Sequence, residues 1–491
     1  MSGIVAIHGP IDVDTTSRML DRLAHRGPGG AASGIVGDAW LGARVMPGES
    51  PMLRGVRDLR MAADGELFGI DDEGPVVPPG LDLALRWFML KGPEGLAALD
   101  GAFALVIAGG DGRFVAARDP LGIRPLYWAR RGDTTLFASE LGAFDDDWLP
   151  DVGWFPPGHT WTPEGGLERF GHAVPPELAR SPAPDSISPE QTRERIRAAL
   201  IESVDRQMRG GGEIGALLSG GLDSSLITAI AARIARDRGW TLKTFAVGAE
   251  GAPDLVAARE VAEALGTEHF ELTYSETEAL ERLPEVVQGL ENFDPSLVRS
   301  AVANDFVAEV AARHVDVVLC GEGADEIFGG YAYLARFDDA DALQRALIDG
   351  LEQGHNIGFQ RVDRTTTRHG LVARMPFVAK AMIETAFAIP AEWKLINGGE
   401  VEKRLLREAF EGWLPEDVLW RKKAQFGDGS GAVDALQAAV AETVSDAEFT
   451  RERNQVEPPL RTREEVAYYR MFTETLEGAH VEDVVGRFAT A

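Results

Sequence analysis

The sequence predicts an α/β protein with a sheet-rich first domain and a second domain built on a parallel sheet. The chain has 491 residues, more than one hydrophobic core usually holds, so two or three domains are expected. Apolar residues make up 45% of the chain, which is enough for buried cores and excludes a globally disordered protein. The spacing of the apolar runs changes after about residue 170, and it predicts the class of each domain.

The first domain, residues 1–170, is predicted from short apolar runs separated by Gly, Asp and Pro. Examples are SGIVAIHG, GAFALVIAGGDGRFVAARD and PLYWARRGDTTLFAS. DG and GD turns between such runs indicate strands joined as hairpins. Residues 171–190, GHAVPPELARSPAPDSISPE, concentrate Pro and Ser and therefore predict a solvated linker.

The second domain, residues 191–491, is predicted from strands that alternate with helices. SPEQTRERIRAALIESVDRQMRG has apolar residues at helical spacing, and the runs EIGALL, TLKTFAVG and VDVVLCG follow, separated by helical stretches. This alternation indicates a parallel sheet covered by helices on both faces. From about residue 335 onward the pattern is mostly helical.

Charge and cysteine content exclude several classes of partner. The formal net charge is −29, so polyanions are repelled at long range and no nucleic-acid partner is expected. Cys320 is the single cysteine, which rules out an intrachain disulfide and fits a reducing compartment. The sequence shows no leader pattern and no apolar run of membrane-spanning length, and it predicts a cytoplasmic protein without a membrane partner.

The strongest chemical signal is the segment EIGALLSGGLDSSLITAIAARIAR. A buried strand leads into Ser219-Gly220-Gly221, and Asp223-Ser224-Ser225 then opens a helix. Glycines permit a close turn, and the N–H groups at the start of a helix bind anions. The segment lacks the Gly-Lys-Ser/Thr of a Walker loop and the spacing of a dinucleotide fingerprint. An ordinary strand-to-helix turn is the alternative, and the complete string favours a phosphate site.

A second constellation, VDVVLCGEGADEIFGGYAYL, places an acidic turn after another apolar strand. Ligands of open parallel sheets lie beyond the carboxyl ends of the strands, so Asp325 is expected to face the same cleft as Asp223. Two such carboxylates suit a Mg²⁺ ion that bridges phosphates. A solvated acidic turn is the alternative, and the glycines around it, which imply close backbone approach, disfavour it.

These motifs resemble two known signatures. The loop string is similar to that of nucleotide pyrophosphatase-type enzymes, which cleave ATP to AMP and pyrophosphate while activating a carboxylate or carbonyl. The ordered set LSGGLDSS, LCGEGADEIFGGY, RVDRTTTRHGLVARMPF, VEKRLLREAF and WRKKAQFGDGSG resembles the synthetase half of the asparagine synthetase family, whose relatives include the β-lactam and carbapenam synthetases. In the first half, AHRGP, DGELF, LDGAFAL and RDPLGIRPLYWARRGDTTLFASEL are similar to the family's glutaminase domain.

The resemblance covers nearly the whole chain and implies a specific architecture. It implies an N-terminal Ntn-hydrolase-like αββα domain followed by an adenine-nucleotide α-hydrolase-like (PP-loop) synthetase domain. It also implies ATP and Mg²⁺, with Asp223 and Asp325 as the metal ligands. The residues implied to bind ATP are Leu218, Ser219, Gly220, Gly221, Asp223, Ser224, Ser225, Val247 and Gly321, of which Val247 is implied to lie beside adenine.

Two catalytic residues are implied by the same resemblance. Glu322 stands where asparagine-forming members have glutamate and β-lactam-forming relatives have tyrosine, and a carboxylate there could orient or deprotonate an incoming amine. Lys423 matches a lysine that contacts pyrophosphate and developing negative charge. Taken alone, Lys422 and Lys423 would be interpreted as surface charges, and only the surrounding motif reverses that interpretation.

Three further residues are weaker candidates. Arg374 and His369 lie in a segment that lines the family's substrate cleft, and a structural role is equally open for each. Lys403 matches a family lysine, but a basic residue on an amphipathic helix is more often a surface charge, and this is the expectation here.

The first domain departs from the glutaminase pattern. Ser2 stands where glutamine-using members expose a cysteine, and a hydroxyl is a far weaker nucleophile without a well-placed base. The family's Asn-Gly-Glu reads Asp64-Gly65-Glu66, and a carboxylate would repel an oxyanion. The following stretch, GIDDEGPVVPPGLDLAL, is shorter than in the family, although Arg44 matches its arginine for the glutamine carboxylate. We interpret Ser2 as a remnant in a degenerate glutaminase domain.

The prediction is an ATP- and Mg²⁺-dependent ligase that adenylates a carboxylate, releases pyrophosphate and lets ammonia or another amine displace AMP. Aspartate with free ammonia is the simplest substrate pair. One alternative is a specialised amide or β-lactam-type synthetase of natural-product biosynthesis. Others are a glutamine amidotransferase that uses Ser2 and a non-catalytic nucleotide-binding regulator. The family includes dimers, and a homodimer is left open.

Overall fold

The computed structural model describes residues 3–47, 53–70, 74–75, 80–210, 212–396, 401–423 and 433–488. Three β-sheets organise these residues, two antiparallel and one parallel. No helix in this part of the chain is long and apolar enough to cross a membrane.

The first domain contains two antiparallel sheets. One has six strands, in the spatial order β11 (Val152–Trp154), β9 (Tyr127–Arg131), β10 (Thr134–Ala138), β1 (Ile4–His8), β3 (Ala39–Val45) and β2 (Gly30–Val36). The other has the order β13 (Gly166–Arg169), β12 (His159–Thr162), β8 (Phe114–Arg118), β7 (Leu99–Gly109), β5 (Leu59–Ile70) and β4 (Arg54–Val56), with β6 (Gly74–Pro75) also paired to β5.

The two sheets stack face to face, and helices cover their outer sides. Ile4, Leu41, Val106 and Phe137 belong to one apolar cluster that both sheets supply, so this cluster fills the space between them. Helix α1 (Val13–Arg22) packs against the six-stranded sheet, and α2 (Asp82–Lys91) joins the outer core of the seven-stranded sheet. The predicted αββα layering is confirmed.

The second domain is built on a five-stranded parallel sheet, as predicted. Its spatial order is β16 (Glu268–Thr273), β15 (Lys243–Gly248), β14 (Ile214–Leu217), β17 (Val317–Leu319) and β18 (Val372–Arg374). The first strand in the chain is therefore central. The chain moves outward to β16 and then returns to the other side of β14, which makes the gap between β14 and β17 the topological switch point.

Helices before and between these strands cover the sheet. α3 begins after a capping box between Ser188 and Gln191, and two short 3₁₀ turns, Pro176–Leu178 and Pro184–Ser186, precede it within the predicted linker. The helices are α3 (Pro189–Gln207), α4 (Leu222–Asp237), α5 (Pro253–Leu265), α6 (Glu276–Leu290), α7 (Pro295–Ala312), α8 (Ala324–Phe328), α9 (Ala340–Gln353) and α10 (Gly358–Thr367).

The region after β18 is helical, as the sequence pattern indicates. It contains α11 (Lys380–Phe387), α12 (Arg404–Ala409), α13 (Glu416–Leu419), α14 (Val433–Glu442), α15 (Asp446–Glu452), α16 (Arg463–Leu476) and α17 (Val481–Val484). Further 3₁₀ turns occur at Ala24–Arg26, Pro93–Ala98, Leu141–Ala143, Leu149–Asp151, Ala332–Arg336, Gly354–Asn356, Pro376–Val378 and Ala391–Lys394.

A shared apolar core joins the two domains. Val5 and Leu20 of the first domain belong to the same buried cluster as Leu297 of α7 and as Tyr468 and Phe472 of α16. Burial of apolar surface is the main favourable term in such an interface. Helices of the second domain therefore complete the core of the first.

Candidate active site

The candidate site lies at the carboxyl ends of β14 and β17, where the switch point opens a cleft. Residues 218–221 follow β14 and lead into α4, and residues 320–323 follow β17 and lead into α8. The sequence-predicted residues that line this one cleft are Leu218, Ser219, Gly221, Asp223, Ser224, Val247, Gly321, Glu322, Asp325 and Lys423. The structure thus brings these residues, which are far apart in the chain, together in one cleft.

The phosphate loop closes on itself through its serines. The Ser219 Oγ atom lies 3.0 Å from the Ser224 Oγ atom, and the Ser219 N–H donates to the same hydroxyl at 3.2 Å. Gly220 has a φ of +73°, and a Cβ there would lie 2.6 Å from Ala257 Cβ, so this position requires glycine. Gly221 is the N-cap of α4, and the first N–H groups of that helix have no intrahelical partner.

Two predicted members of the loop take other positions. Gly220 and Ser225 belong to the loop but are not among the residues that line the cleft. The Ser225 side chain is fully buried, and its Oγ atom has no hydrogen-bond partner among the described residues. That both residues bind ATP stays a prediction.

Close backbone contact joins the β17 turn to the phosphate loop. A Cβ on Gly321 would lie 2.8 Å from the Ser224 backbone nitrogen and 2.9 Å from the Asp223 carbonyl carbon. Any side chain at residue 321 would therefore push the two loops apart. Glycine keeps the Asp223 and Asp325 carboxylates within reach of one set of cations.

Those cations are two lysines, which with the carboxylates form the acid–lysine cluster (Asp223, Asp325, Lys403 and Lys423). The Lys403 Nζ atom lies 2.6 Å from Asp223 Oδ2 and 2.5 Å from Asp325 Oδ1. Lys423 also pairs with Asp325 through Nζ, which lies 4.8 Å from the centroid of the Tyr331 ring. The cluster therefore combines two carboxylates and two ammonium groups in one cleft.

The expectation that Lys403 is a surface charge is wrong. Its relative exposure is 6%, and its ammonium group bridges the two carboxylates. Helix α12 begins only at Arg404, and Lys403 precedes it with a φ of +55°. The amphipathic pattern of the helix therefore does not govern the direction of this side chain.

The cluster shifts the pKa values of Asp325, Asp223 and Lys403. Burial opposes ionisation of Asp325, but Lys403 and Lys423 outweigh it and lower the pKa of this carboxyl. Burial raises the pKa of the Asp223 carboxyl; Lys403 offsets part of this rise, and Asp325 adds to it. Burial likewise opposes the charge of Lys403, yet the two carboxylates outweigh it and raise its pKa. The charges of these three groups therefore depend on their partners.

The donor set of the cluster fits a divalent cation. The Asp223 Oδ1 atom is buried and accepts no hydrogen bond from any described residue. Mg²⁺ takes oxygen ligands and is commonly held by one or two carboxylates together with substrate phosphates. Asp223 and Asp325 together offer this chemistry next to a loop suited to phosphate.

Sequence reasoning missed a second layer of cations around the cleft. Arg421 donates to the Gly220 carbonyl at 3.2 Å and pairs with Asp254 at 3.0 Å. Arg407 is buried and donates to the Leu419 carbonyl at 2.5 Å and to the Arg421 carbonyl at 3.1 Å. These contacts hold residues 419–423 against the phosphate loop.

The sequence offers only a coarse signal for that layer. WRKKAQFGDGSG contains three consecutive cations, Arg421, Lys422 and Lys423, and all three line the cleft. Their spacing alone does not show that Lys423 pairs with Asp325 and Arg421 with Asp254. The rest of this motif, residues 424–431, lies outside the described residues.

Glu322 lies on a different wall of the cleft, formed by α7 and α10. Arg361 of α10 pairs with Glu322 Oε1 through Nη2 and donates to Ser300 Oγ at 2.8 Å through Nη1. The neighbouring lining residues on this wall are Asn304, Val307, Cys320 and Val362. The predicted catalytic carboxylate is therefore fixed by a guanidinium that the sequence motifs did not single out.

The two weaker candidates Arg374 and His369 do not line the cleft. Arg374 makes a two-pronged ion pair with Glu66 of the first domain, with distances of 2.8 and 2.6 Å. His369 Nε2 lies 3.0 Å from the Asp305 Oδ1 atom. Both side chains therefore have structural partners away from the phosphate loop.

The glutaminase-like motifs of the first domain meet the second domain in a buried ion network. Arg26 lies 2.9 Å from Asp64, 2.8 Å from Glu140 and 2.7 Å from Asp363 of α10. We call this set and its further partners the interdomain ion network; it consists of Arg26, Asp64, Arg124, Glu140, Glu291, Asp363 and Arg364.

Other residues of the predicted glutaminase site have separate partners. Arg44 pairs with Asp21 at 2.8 Å and donates to the Leu20 carbonyl at 2.7 Å, so α1 engages its guanidinium. Ser2 lies outside the described residues. Its assignment as a remnant stays a prediction.

The fold and the cleft together define a two-domain protein that joins an αββα domain to a parallel-sheet domain with a phosphate loop and an acid–lysine cluster. The family described as asparagine synthase matches residues 195–340 and 335–482, and a glutamine amidotransferase domain matches residues 81–146. Among solved structures, an NMN synthetase from Francisella tularensis matches at a TM-score of 0.28 with 14% identity, over 62% of this chain and 100% of the other, too low a likeness to carry an argument.

Curated relatives match along nearly the full chain. Asparagine synthetase [glutamine-hydrolyzing] 2 of Oryza sativa subsp. japonica is 32% identical over 96% of this chain and 85% of the relative. A probable asparagine synthetase [glutamine-hydrolyzing] of Dictyostelium discoideum is 31% identical over 99% of this chain and 96% of the relative. The chain belongs to the asparagine synthetase family, and it is an ATP-dependent ligase that forms carbon–nitrogen bonds.

Proposed function

We propose that this protein makes asparagine from aspartate, ATP and ammonia, with aspartyl-AMP as the intermediate. The observation that carries the proposal is the acid–lysine cluster at the switch point, with Glu322 on the adjoining wall of the same cleft. The same cleft then holds cationic groups that can bind the triphosphate of ATP and a carboxylate, Glu322, that can orient or deprotonate an amine. The curated relatives are named asparagine synthetases, which supports aspartate as the acid.

In the first step, an oxygen of the aspartate side-chain carboxylate attacks the α-phosphorus of ATP. The bond from the α-phosphorus to its bridging oxygen breaks, and pyrophosphate leaves with the electron pair. Lys403 and Lys423 stabilise the negative charge that grows on the leaving group, and the N-terminus of α4 offers N–H donors beside them. Mg²⁺ held by Asp223 and Asp325 would supply Lewis-acid stabilisation to the phosphate oxygens.

In the second step, the nitrogen of ammonia attacks the acyl carbon. The bond from that carbon to the phosphate oxygen breaks, and AMP leaves with the electron pair. The nitrogen loses one proton as the amide forms, and Glu322 is the acceptor we assign to it. Arg361 pairs with Oε1 of Glu322, and this contact fixes the carboxylate in the cleft.

We further propose that the nitrogen comes from free ammonia and that the first domain does not hydrolyse glutamine. Asp64 is fully buried, and Arg26 pairs with it at 2.9 Å. An anion at this position opposes an oxyanion instead of donating to it. The curated relatives are named as glutamine-hydrolysing, so this chain would differ from them in its nitrogen source.

The test is pyrophosphate release with ATP and Mg²⁺ across a panel of carboxylic amino acids, each with ammonium, glutamine or no nitrogen donor. We expect turnover to asparagine with aspartate and ammonium. Lys423→Met should abolish it, whereas the matched variant Lys91→Met, which alters an exposed lysine of α2, should not.

Three outcomes would contradict parts of the proposal. Comparable turnover with glutamine would restore Ser2 as a nucleophile. Turnover with another amino-acid-like carboxylate but not with aspartate would establish the specialised synthetase. ATP binding without pyrophosphate release under every condition would leave only a nucleotide-binding regulator.

A further inference from the structure

An amide side chain lies on the α7 wall of the cleft. Asn304 has a relative exposure of 7% and is one of the lining residues. Its side chain makes no hydrogen bond to another residue in the described part of the chain, and its neighbours on this wall, Val307, Cys320 and Val362, are not strong hydrogen-bonding groups. An amide that faces a cleft without a protein partner is available to donate to and accept from a polar ligand bound there.

The position of Asn304 relates it to the predicted catalytic carboxylate. Asn304 follows Ser300 by four residues on α7, so the two side chains lie on the same face of the helix. Ser300 accepts a hydrogen bond from Arg361, which pairs with Glu322. The amide therefore lies one helical turn from the contacts that fix Glu322, on the side of the cleft where the acid would react with the amine.

Three cations of the cleft already have partners within the protein. Lys403 and Lys423 are engaged by the carboxylates of the acid–lysine cluster, and Arg421 is engaged by Asp254 and the phosphate loop. They lie against the phosphate loop or against Asp325 beside it. An amide differs from them because it both donates and accepts hydrogen bonds and carries no charge.

We propose that Asn304 forms a subsite for an α-amino acid head group, in which its amide N–H donates to the α-carboxylate and its carbonyl oxygen accepts from the α-ammonium. This inference rests on the proposed function and names the residue that selects the acid. A head group with one positive and one negative charge is matched by a neutral group that can serve both halves. Asn304 is then a specificity-determining residue of the acid subsite.

The test compares three acids that share the reacting carboxylate. Succinate is aspartate without the ammonium group, and β-alanine is aspartate without the α-carboxylate. Asn304→Leu keeps the side-chain size and removes both hydrogen-bonding functions. Val307→Ala is the matched control, because it changes the same wall without changing a polar group.

The expected result is a loss of discrimination. Asn304→Leu should lower kcat/KM for aspartate about 10- to 100-fold, mainly through KM, as removal of a hydrogen bond to a charged group does. It should change the values for succinate and β-alanine less, and leave the KM for ATP unchanged. Val307→Ala should affect all three acids to the same extent. Asn304→Ala, measured in parallel with thermal unfolding of every variant, provides a second substitution if the leucine variant folds poorly.

Two results would overturn the inference separately from the proposed function. If wild type and both Asn304 variants show the same ratio of kcat/KM for aspartate over succinate and β-alanine, the subsite is wrong although the ligase activity stands. If the Asn304 variants raise the KM for ATP as much as that for aspartate, the residue supports the nucleotide site instead. If wild type releases no pyrophosphate with any acid, the proposed function itself fails.

Discussion

The Arg26 Nη2 atom lies 2.9 Å from the Asp64 Oδ2 atom, and both side chains are shielded from solvent. The same guanidinium contacts Asp363 of α10 at 2.7 Å. Two residues earlier on that helix, Arg361 pairs with Glu322 in the cleft. One short helix therefore connects a carboxylate of the first domain to the predicted catalytic carboxylate of the second.

Replacing Arg26 should destabilise the protein strongly. Arg26→Met leaves Asp64, Glu140 and Asp363 buried without their shared partner, and loss of one partner of a buried ion pair costs about 3–5 kcal/mol. Urea unfolding measures the change in free energy. Arg18→Met is the control: it removes an exposed ion pair of the same 2.9 Å length to Asp145, and it should change the stability little. Equal effects of the two substitutions would show that the network contributes no more than a surface pair.

A cysteine at residue 2 should not create glutaminase activity. The thiolate would be a stronger nucleophile than the serine hydroxyl, but the Asp64 carboxylate would still repel the oxyanion that forms during hydrolysis. Release of glutamate from glutamine by Ser2→Cys measures this directly. Clear glutamate release would show that the first domain lacks only its nucleophile.

Lys403→Met should greatly reduce pyrophosphate release. Burial already raises the pKa of Asp223, and removal of the ammonium group that offsets this rise favours the protonated, non-coordinating carboxyl. The loss of one such charge-stabilising group typically costs about 100- to 1,000-fold in kcat. The rate is measured at saturating ATP and Mg²⁺, with Lys91→Met as the control. A variant that keeps near wild-type kcat would remove Lys403 from the proposed mechanism.

Lys394 should make the stability depend on pH above neutrality. Burial lowers its pKa from 10.5 to about 7, and its Nζ atom donates to the Ala386 carbonyl at 2.7 Å. Between these two pKa values the unfolded chain binds more protons at this lysine than the folded chain, so its contribution to stability rises as pH rises from about 7 to about 10.5. Urea midpoints at pH 7 and pH 9 measure the effect. In Lys394→Met this rise should be smaller, and an identical pH dependence in both proteins would contradict the prediction.

The sequence predicted those parts of the site that depend on local chemistry. The phosphate loop depends on local sequence only. The stretch from Ile214 to Asp237 contains the strand, the glycine turn and the start of the helix that form it. The hairpins of the first domain were predicted from apolar runs and turns in the same way, whereas the stacking of its two sheets was implied only by the family resemblance. These features need no information about distant segments.

The parts that the sequence did not predict arise from long-range contacts. Lys403 precedes its helix and reaches Asp223, which lies 180 positions earlier. Asn304 and Arg407 lie inside helices, and the apolar patterns of these helices do not predict which residues line the cleft. The pairing of Arg26 with Asp363 spans 337 positions and depends on how the domains dock. Only the folded arrangement shows which of many charged residues meet.

The interdomain ion network also explains why a domain without its chemistry would be retained. If the second half were produced as a separate polypeptide, Asp363 and Arg364 would lose their partners across the interface, and the apolar faces of α7 and α16 would meet water. Deleting the first half would therefore expose apolar surface on the second domain and is expected to lower its solubility and stability. The first domain would then act as a structural support for the second, whatever its own activity.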